Sequence, residues 1–122
     1  MSVRIGIDLV EVEEIEGSLA RHGDRFLDRV FTEAELAAAA GSPVRLAARF
    51  AAKEAAMKAL GRVDEGIGWR SIEVLGTERA PAVSLSGAAE CLAAQHGVTS
   101  IALTLTRTAR RAAAIAVAEA RP

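Results

Sequence analysis

The sequence predicts an α+β fold, with helices packed on one face of a mainly antiparallel sheet. It reads as a single domain over residues 1–122. Three observations carry this. Apolar and polar residues alternate at both ends of the chain, as in strands with one buried face. Residues 10–60 instead place apolar side chains at helical spacing. A length of 122 residues leaves no room for a second independent core.

The elements follow in order. Val3, Ile5 and Ile7 alternate with Arg4, Gly6 and Asp8, giving a first strand with Asp8 near its exit. Val12, Ile15 and Leu19 mark a helix over Val10 to Arg21, surrounded by Glu11, Glu13, Glu14 and Glu16. A short helix from Asp24 to Val30 follows Gly23. Thr32-Glu-Ala-Glu35 is a capping box opening a helix that stops at Gly41. Ser42 and Pro43 suit the start of the longest helix, striped by Leu46, Phe50, Met57 and Leu60 and ended by Gly61. A glycine-rich loop is expected from Gly61 to Gly68. Strands are expected over Trp69 to Gly76 and Ala82 to Ser86, then an alanine-rich helix from Gly87 to His96. Thr99 to Thr106 and Ala112 to Glu119 complete the reading as a hairpin turning near Thr108 to Arg110.

Composition narrows the function classes. Hydrophobic residues make up 51% and charged residues 25%, which excludes a disordered chain. A net charge of −1 argues against a nucleic-acid binder driven by overall basicity. No apolar run approaches the ~20 residues of a membrane span, and Met1 to Gly6 has no signal-peptide pattern. The one cysteine, Cys91, rules out an internal disulfide and fits a reducing compartment. A cytoplasmic location is expected. Alanine is about a fifth of the chain and aromatics only 3%. A core this poor in large side chains is marginal at such length, and oligomerisation is one remedy.

The cations are distributed unevenly. Thirteen of the fifteen are arginine, and the two lysines, Lys53 and Lys58, share the longest helix. At 100° per residue with Leu46 as zero, Lys53 falls at about 340°, inside the apolar stripe. Its ammonium must snorkel, meet a buried acid or face a ligand. Glu54 falls at about 80° and Lys58 at about 120°, an i,i+4 pair that as a surface ion pair is worth only ~0.3 kcal/mol. Asp8 from a strand end and Glu54 from a helix can converge on a hard divalent cation. Magnesium takes one or two carboxylates and completes its shell with water and phosphate. Neighbouring cations would hold the remaining phosphate oxygens. Taken alone, Asp8 reads more readily as a cap of the following helix than as a metal ligand.

Three stretches carry a resemblance: Gly6-Ile-Asp8-Leu-Val-Glu11, Phe31-Thr-Glu-Ala-Glu-Leu36, and Arg49-Phe-Ala-Ala-Lys-Glu-Ala-Ala-Met-Lys58-Ala-Leu-Gly61. Together with Trp69-x-x-Ile-Glu-Val74 and Val83-x-Leu-Ser-Gly87 they resemble the small 4'-phosphopantetheinyl transferases of the holo-acyl-carrier-protein synthase type. The resemblance implies that family's fold and its reaction, transfer of phosphopantetheine from coenzyme A to a serine of an apo acyl carrier protein. Adenosine 3',5'-bisphosphate leaves. It implies Asp8 and Glu54 as magnesium ligands and Lys58 on the pyrophosphate. Arg49, Phe50 and Lys53 fall on the coenzyme A-contacting helix, with Gly61 opening the segment beside the nucleotide. It also implies a homotrimer with sites at subunit boundaries. Whether Glu54 or a water at the site takes the serine proton stays open, as does a fatty-acid, polyketide or peptide-synthesis carrier.

Two positions depart from the family pattern. Glu14 stands where relatives commonly carry an arginine that docks the acidic carrier. This implies a less acidic carrier, or docking through Arg21, Arg25 and Arg29. Thr104-Leu-Thr-Arg107-Thr replaces a histidine-containing pattern near the nucleotide. Arg107 cannot shuttle protons near neutral pH but can grip the nucleotide's 3'-phosphate. These departures motivate the alternative of a catalytically silent paralogue that binds coenzyme A or a carrier. His22 and His96 read as helix-end residues, and Cys91 as a small buried thiol.

Overall fold

The computed structural model describes residues 2–61 and 68–122. The interior of the expected glycine-rich loop, residues 62–67, therefore lies outside the described residues. The chain runs β1 (Ser2–Glu11), α1 (Val12–His22), α2 (Asp24–Val30), α3 (Glu33–Ala39), α4 (Pro43–Ala59), a 3-10 turn (Trp69–Ser71), β2 (Ile72–Gly76), β3 (Pro81–Leu85), α5 (Gly87–Gln95), β4 (Val98–Arg107) and β5 (Arg111–Ala120). The α+β reading holds. The strands divide into two antiparallel sheets, β1-β5-β4 and the hairpin β2-β3. β3 lies beside β4, so the hairpin extends the layer without joining its ladder.

Capping chemistry sets the helix starts as expected. Thr32 Oγ1 accepts from Glu35 N and Glu35 Oε1 accepts from Thr32 N. Ser42 Oγ accepts from Arg45 N, with Pro43 in the first turn of α4. Two boundaries move. Leu9, Val10 and Glu11 pair with Ala113, Ala112 and Arg111, so β1 continues where a helix was expected from Val10. Trp69–Ser71 coil into a 3-10 turn before β2 begins at Ile72. Cys91, expected to be buried, is exposed on α5. No helix among the described residues is long and apolar enough to cross a membrane.

The alanine bias has a packing reason. Ala47, Ala48, Ala51, Ala52, Ala55, Ala56 and Ala59 of α4 are buried. Facing them, β5 buries Ala112, Ala114, Ala116 and Ala118. Small side chains on both surfaces let the helix lie close to the sheet. The approach is tightest at Gly6 of β1. A Cβ there would overlap Ala55 O and stand 2.8 Å from Ala59 N, so only glycine fits. This contact brings the inward face of β1 against the second half of α4. The opposite face of β1 is different. Val3, Ile5, Ile7 and Leu9 point outward and are 60–65% exposed.

Candidate active site

Asp8 lies two residues beyond Gly6 and shares its face, so the side chain is delivered to α4. Lys58 Nζ donates to Asp8 Oδ1 at 3.1 Å and to Ile7 O at 3.0 Å. Asp8 Oδ2 is buried and receives no hydrogen bond from a fixed donor. Glu54, one turn before Lys58, is the neighbour that can supply one when protonated. Its carboxyl is pushed up to about 8, first by burial and then by the hydrogen bond and charge of Asp8. Lys58 opposes this shift and Glu14 adds to it. Two acids thus share one junction that wants either a proton or a cation between them.

The junction suits one kind of cation. Among the described residues there is no group of three histidine, cysteine or acid side chains able to hold a metal. A closed protein cage of the structural zinc type is therefore absent from them. Two carboxylates, one with an orphaned buried oxygen, beside a 40% exposed lysine fit magnesium with water and phosphate completing its shell.

Lys53 goes elsewhere. Expected among the coenzyme contacts, it is turned into the core and fully buried. Nζ donates to both Glu35 oxygens, at 2.7 and 2.9 Å, and to Ile72 O. Glu35 Oε2 also accepts from Val74 N at 2.8 Å. Of the three fates open to an ammonium in an apolar stripe, a buried acid is the one adopted. Burial pulls Lys53 below the usual lysine range, while Glu35 pulls it back up. Glu35 thus performs two tasks, closing the capping box and pairing with Lys53.

Arg49 and Arg107 form a second cluster. With Ala38, Arg45, Gly76, Thr77 and Glu78 they line a cleft of about 430 Å³. Arg49 is only 6% exposed, and its Nε has no hydrogen-bond partner among the described residues. Arg107 Nε donates to Glu78 Oε1 at 2.6 Å. Arg45 and Glu78 were missed in the sequence; only the spacing of Arg45 one turn before Arg49 could have flagged the former. Phe50 stacks on Trp69 at 4.9 Å between ring centroids, with the planes tilted by 37°. Gly61 closes α4 at φ +90°, with an Arg4 guanidinium nitrogen 2.6 Å from where a Cβ would stand.

The two clusters sit apart. β5 runs between β1, which carries Asp8, and β4, which carries Arg107. Arg49 and Lys58 are nine residues apart on α4, which places them about 180° apart around its axis. The acid–lysine cluster and the arginine cleft therefore flank α4 on opposite sides.

Comparison with known proteins assigns the chain. The sequence model of the 4'-phosphopantetheinyl transferase superfamily matches residues 4–118. A holo-[acyl-carrier-protein] synthase of Paramagnetospirillum magneticum is 42% identical over 132 aligned positions, covering 100% of this chain and 99% of that protein. One from Solibacter usitatus is 43% identical over 114, covering 89% and 91%. In three dimensions the chain resembles an ACPS–CoA complex from Chronobacterium ammoniagenes, with a TM-score of 0.87, 27% identity and full coverage of both chains. The span matched by the family model, the relatives at 42% and 43% identity and the shared fold converge: the chain belongs to the 4'-phosphopantetheinyl transferase superfamily.

Proposed function

We propose that the chain transfers the phosphopantetheine group of coenzyme A to a serine of an apo acyl carrier protein, through Asp8, Glu54 and Lys58. One observation carries this reading. Two carboxylates share a half-buried junction with a lysine, and one buried oxygen of Asp8 has no donor. Asp8 and Glu54 would hold magnesium, which when bound draws charge from the pyrophosphate and improves the leaving group.

The residues of the chain supply the rest. Lys58 stays 40% exposed while tethered to Asp8 and Ile7 O, so its remaining proton can meet a pyrophosphate oxygen where negative charge develops. The serine oxygen attacks the phosphorus that bears the pantetheine arm. The bond from that phosphorus to the bridging oxygen breaks, and adenosine 3',5'-bisphosphate departs with the electron pair. The serine proton passes to Glu54 or to a water beside it. Arg45, Arg49 and Arg107 suit the 3'-phosphate, since guanidinium groups bind phosphate bidentately. Phe50 and Gly61 flank the coenzyme's path.

The working unit is a homotrimer, with each site at a subunit boundary. Two features support this. The acid–lysine cluster and the arginine cleft flank α4 on opposite sides, so a ligand spanning both kinds of group is better served by two chains. The outward row Val3, Ile5, Ile7 and Leu9 is an apolar strand face that a second copy would cover. Each such side chain contributes about 1.5–3 kcal/mol when taken fully out of water. The location proposed is the cytoplasm, where the exposed Cys91 thiol stays reduced.

The carrier partner follows from α1. Its Glu13, Glu14 and Glu16 are exposed. The carrier is therefore less acidic than usual, or docks through Arg21, Arg25 and Arg29. The test is intact mass spectrometry of apo carriers of differing surface charge, incubated with coenzyme A, magnesium and the protein. A gain of one phosphopantetheine group, absent with Glu54→Gln, is the expected result. No gain on any carrier, with coenzyme A still bound, would make the chain a silent binder.

A further inference from the structure

The arginine cleft contains one acid, and its placement is unusual for a phosphate pocket. Glu78 sits in the turn between β2 and β3, and that turn is tightly built. Gly76 adopts φ +77°, which any side chain would resist, and a Cβ there would collide with Ala80 O. Ala80 N donates to Thr77 O at 3.2 Å and to Thr77 Oγ1 at 3.1 Å. The turn thus holds Glu78 at the cleft. Its carboxylate meets Arg107 Nε at 2.6 Å, while Arg45 and Arg49 line the same cavity. Glu78 occupies a donor that an incoming anion would use.

We infer that Glu78 tunes the affinity of this cleft: it is an internal anion that Arg107 must exchange for the phosphate monoester of the coenzyme. The inference rests on reading the cleft as the 3'-phosphate pocket. The chemistry is an exchange of anions on one guanidinium. A carboxylate carries one negative charge, whereas a phosphate monoester near neutral pH carries nearly two and offers three acceptor oxygens. The monoester can therefore displace Glu78 and engage all three arginines. A singly charged anion gains too little to do so. Glu78 weakens every anion's binding in the cleft, the coenzyme's included.

The pair is partly exposed, Arg107 at 36% and Glu78 at 28% of their side chains, so the effect is modest and salt-dependent. Among the described residues Glu78 pairs with Arg107 while Lys58 pairs with Asp8, so the effect of Glu78 belongs to binding rather than to the chemical step.

The test is steady-state transfer to an apo carrier by the full chain at low ionic strength. Coenzyme A is compared with dephospho-coenzyme A, which lacks the 3'-phosphate. For Glu78→Gln the expected result is a KM for coenzyme A lowered about threefold without a matching change in kcat. The KM for dephospho-coenzyme A stays the same, and inhibition by acetate strengthens. Added salt erases the gain, and Glu78→Asp stays close to the parent. An unchanged or raised KM for coenzyme A in Glu78→Gln overturns the proposal, since the residue would then be idle or would merely position Arg107. An equal fall for both donors overturns it too. Arg107→Gln separates the two layers. If it leaves the preference for coenzyme A intact, the cleft is not the phosphate pocket and both readings fall. If it abolishes that preference while Glu78→Gln does nothing, the pocket stands and the role of Glu78 alone is lost.

Discussion

At Glu54 a single side chain reports on the whole acid–lysine junction. Its carboxyl is raised from the ordinary 4.5 to about 8 in the folded chain. A group raised on folding contributes stability that is complete below its unfolded pKa and lost as pH rises through its folded one. Without divalent cation, melting temperature should therefore fall between about pH 5 and pH 8 relative to Glu54→Gln, which has no such group. Magnesium should reverse the slope, because holding it requires Glu54 to give up the proton. Thermal melts of both proteins across this range, with and without magnesium, check the prediction. Parallel curves would show that Asp8 and Glu54 do not share a junction.

Lys53 sets a contrasting residue-scale case. Removing its ammonium in Lys53→Met leaves Glu35 buried as an unpaired charge, which costs about 3–5 kcal/mol. Adding Glu35→Gln should recover much of that, because the amide carries no charge and its oxygen can still accept from Val74 N or Thr32 N. Urea denaturation of the two singles and the double measures the coupling. A stable Lys53→Met with weakened coenzyme A binding would return Lys53 to the ligand.

At the scale of elements, the strand-to-helix contact is what aims Asp8. Gly6 admits no Cβ because both obstacles are backbone, the carbonyl of Ala55 and the nitrogen of Ala59. Gly6→Ala must therefore part β1 from α4. Overpacking of this kind costs about 1–3 kcal/mol. Displacing Asp8 by a fraction of an ångström to one ångström should lower kcat roughly a hundredfold. Melting and turnover measured on one preparation test both halves, and a variant with parental kcat would remove the aiming role. Much of this element-level order was legible in the chain. Thr32, Glu35, Ser42 and Pro43 announced two helix starts through local chemistry, and α4 was set by its stripe and Gly61. The end of β1 was not legible, since Val12, Ile15 and Leu19 set a helical rhythm that says nothing of the partner β5 offers to Leu9, Val10 and Glu11. Glu35 with Lys53 and Glu78 with Arg107 were equally hidden, for they are tertiary partners 18 and 29 residues apart. Asp8, Glu54 and Lys58 could be grouped in advance because carboxylates and a lysine at those positions share a chemistry. Which other groups stand beside them depends on packing that periodicity does not encode.

For the whole molecule, the decisive feature is that the acid–lysine cluster and the arginine cleft lie on opposite flanks of α4. If sites form between copies, one chain supplies Asp8, Glu54 and Lys58 and its neighbour supplies Arg45, Arg49 and Arg107. Two inactive variants then become complementary. Glu54→Gln disables the first half and Arg107→Glu disables the second, and each leaves the other half intact. In a trimer refolded from equal amounts, about one boundary in four pairs two intact halves. Mixing should therefore restore roughly a quarter of parental transfer from two preparations that are each nearly inactive. Simple mixing of assembled proteins, without unfolding or coexpression, should restore nothing until subunits exchange. Ile5→Asp supplies the companion case. An acid in the outward apolar row of β1 should yield a monomer by light scattering, with intact secondary structure and no transfer, because its two half-sites can no longer meet. Failure of the mixed variants to recover activity, or a fully active Ile5→Asp monomer, would place the whole site within one chain and leave the apolar face of β1 without a catalytic purpose.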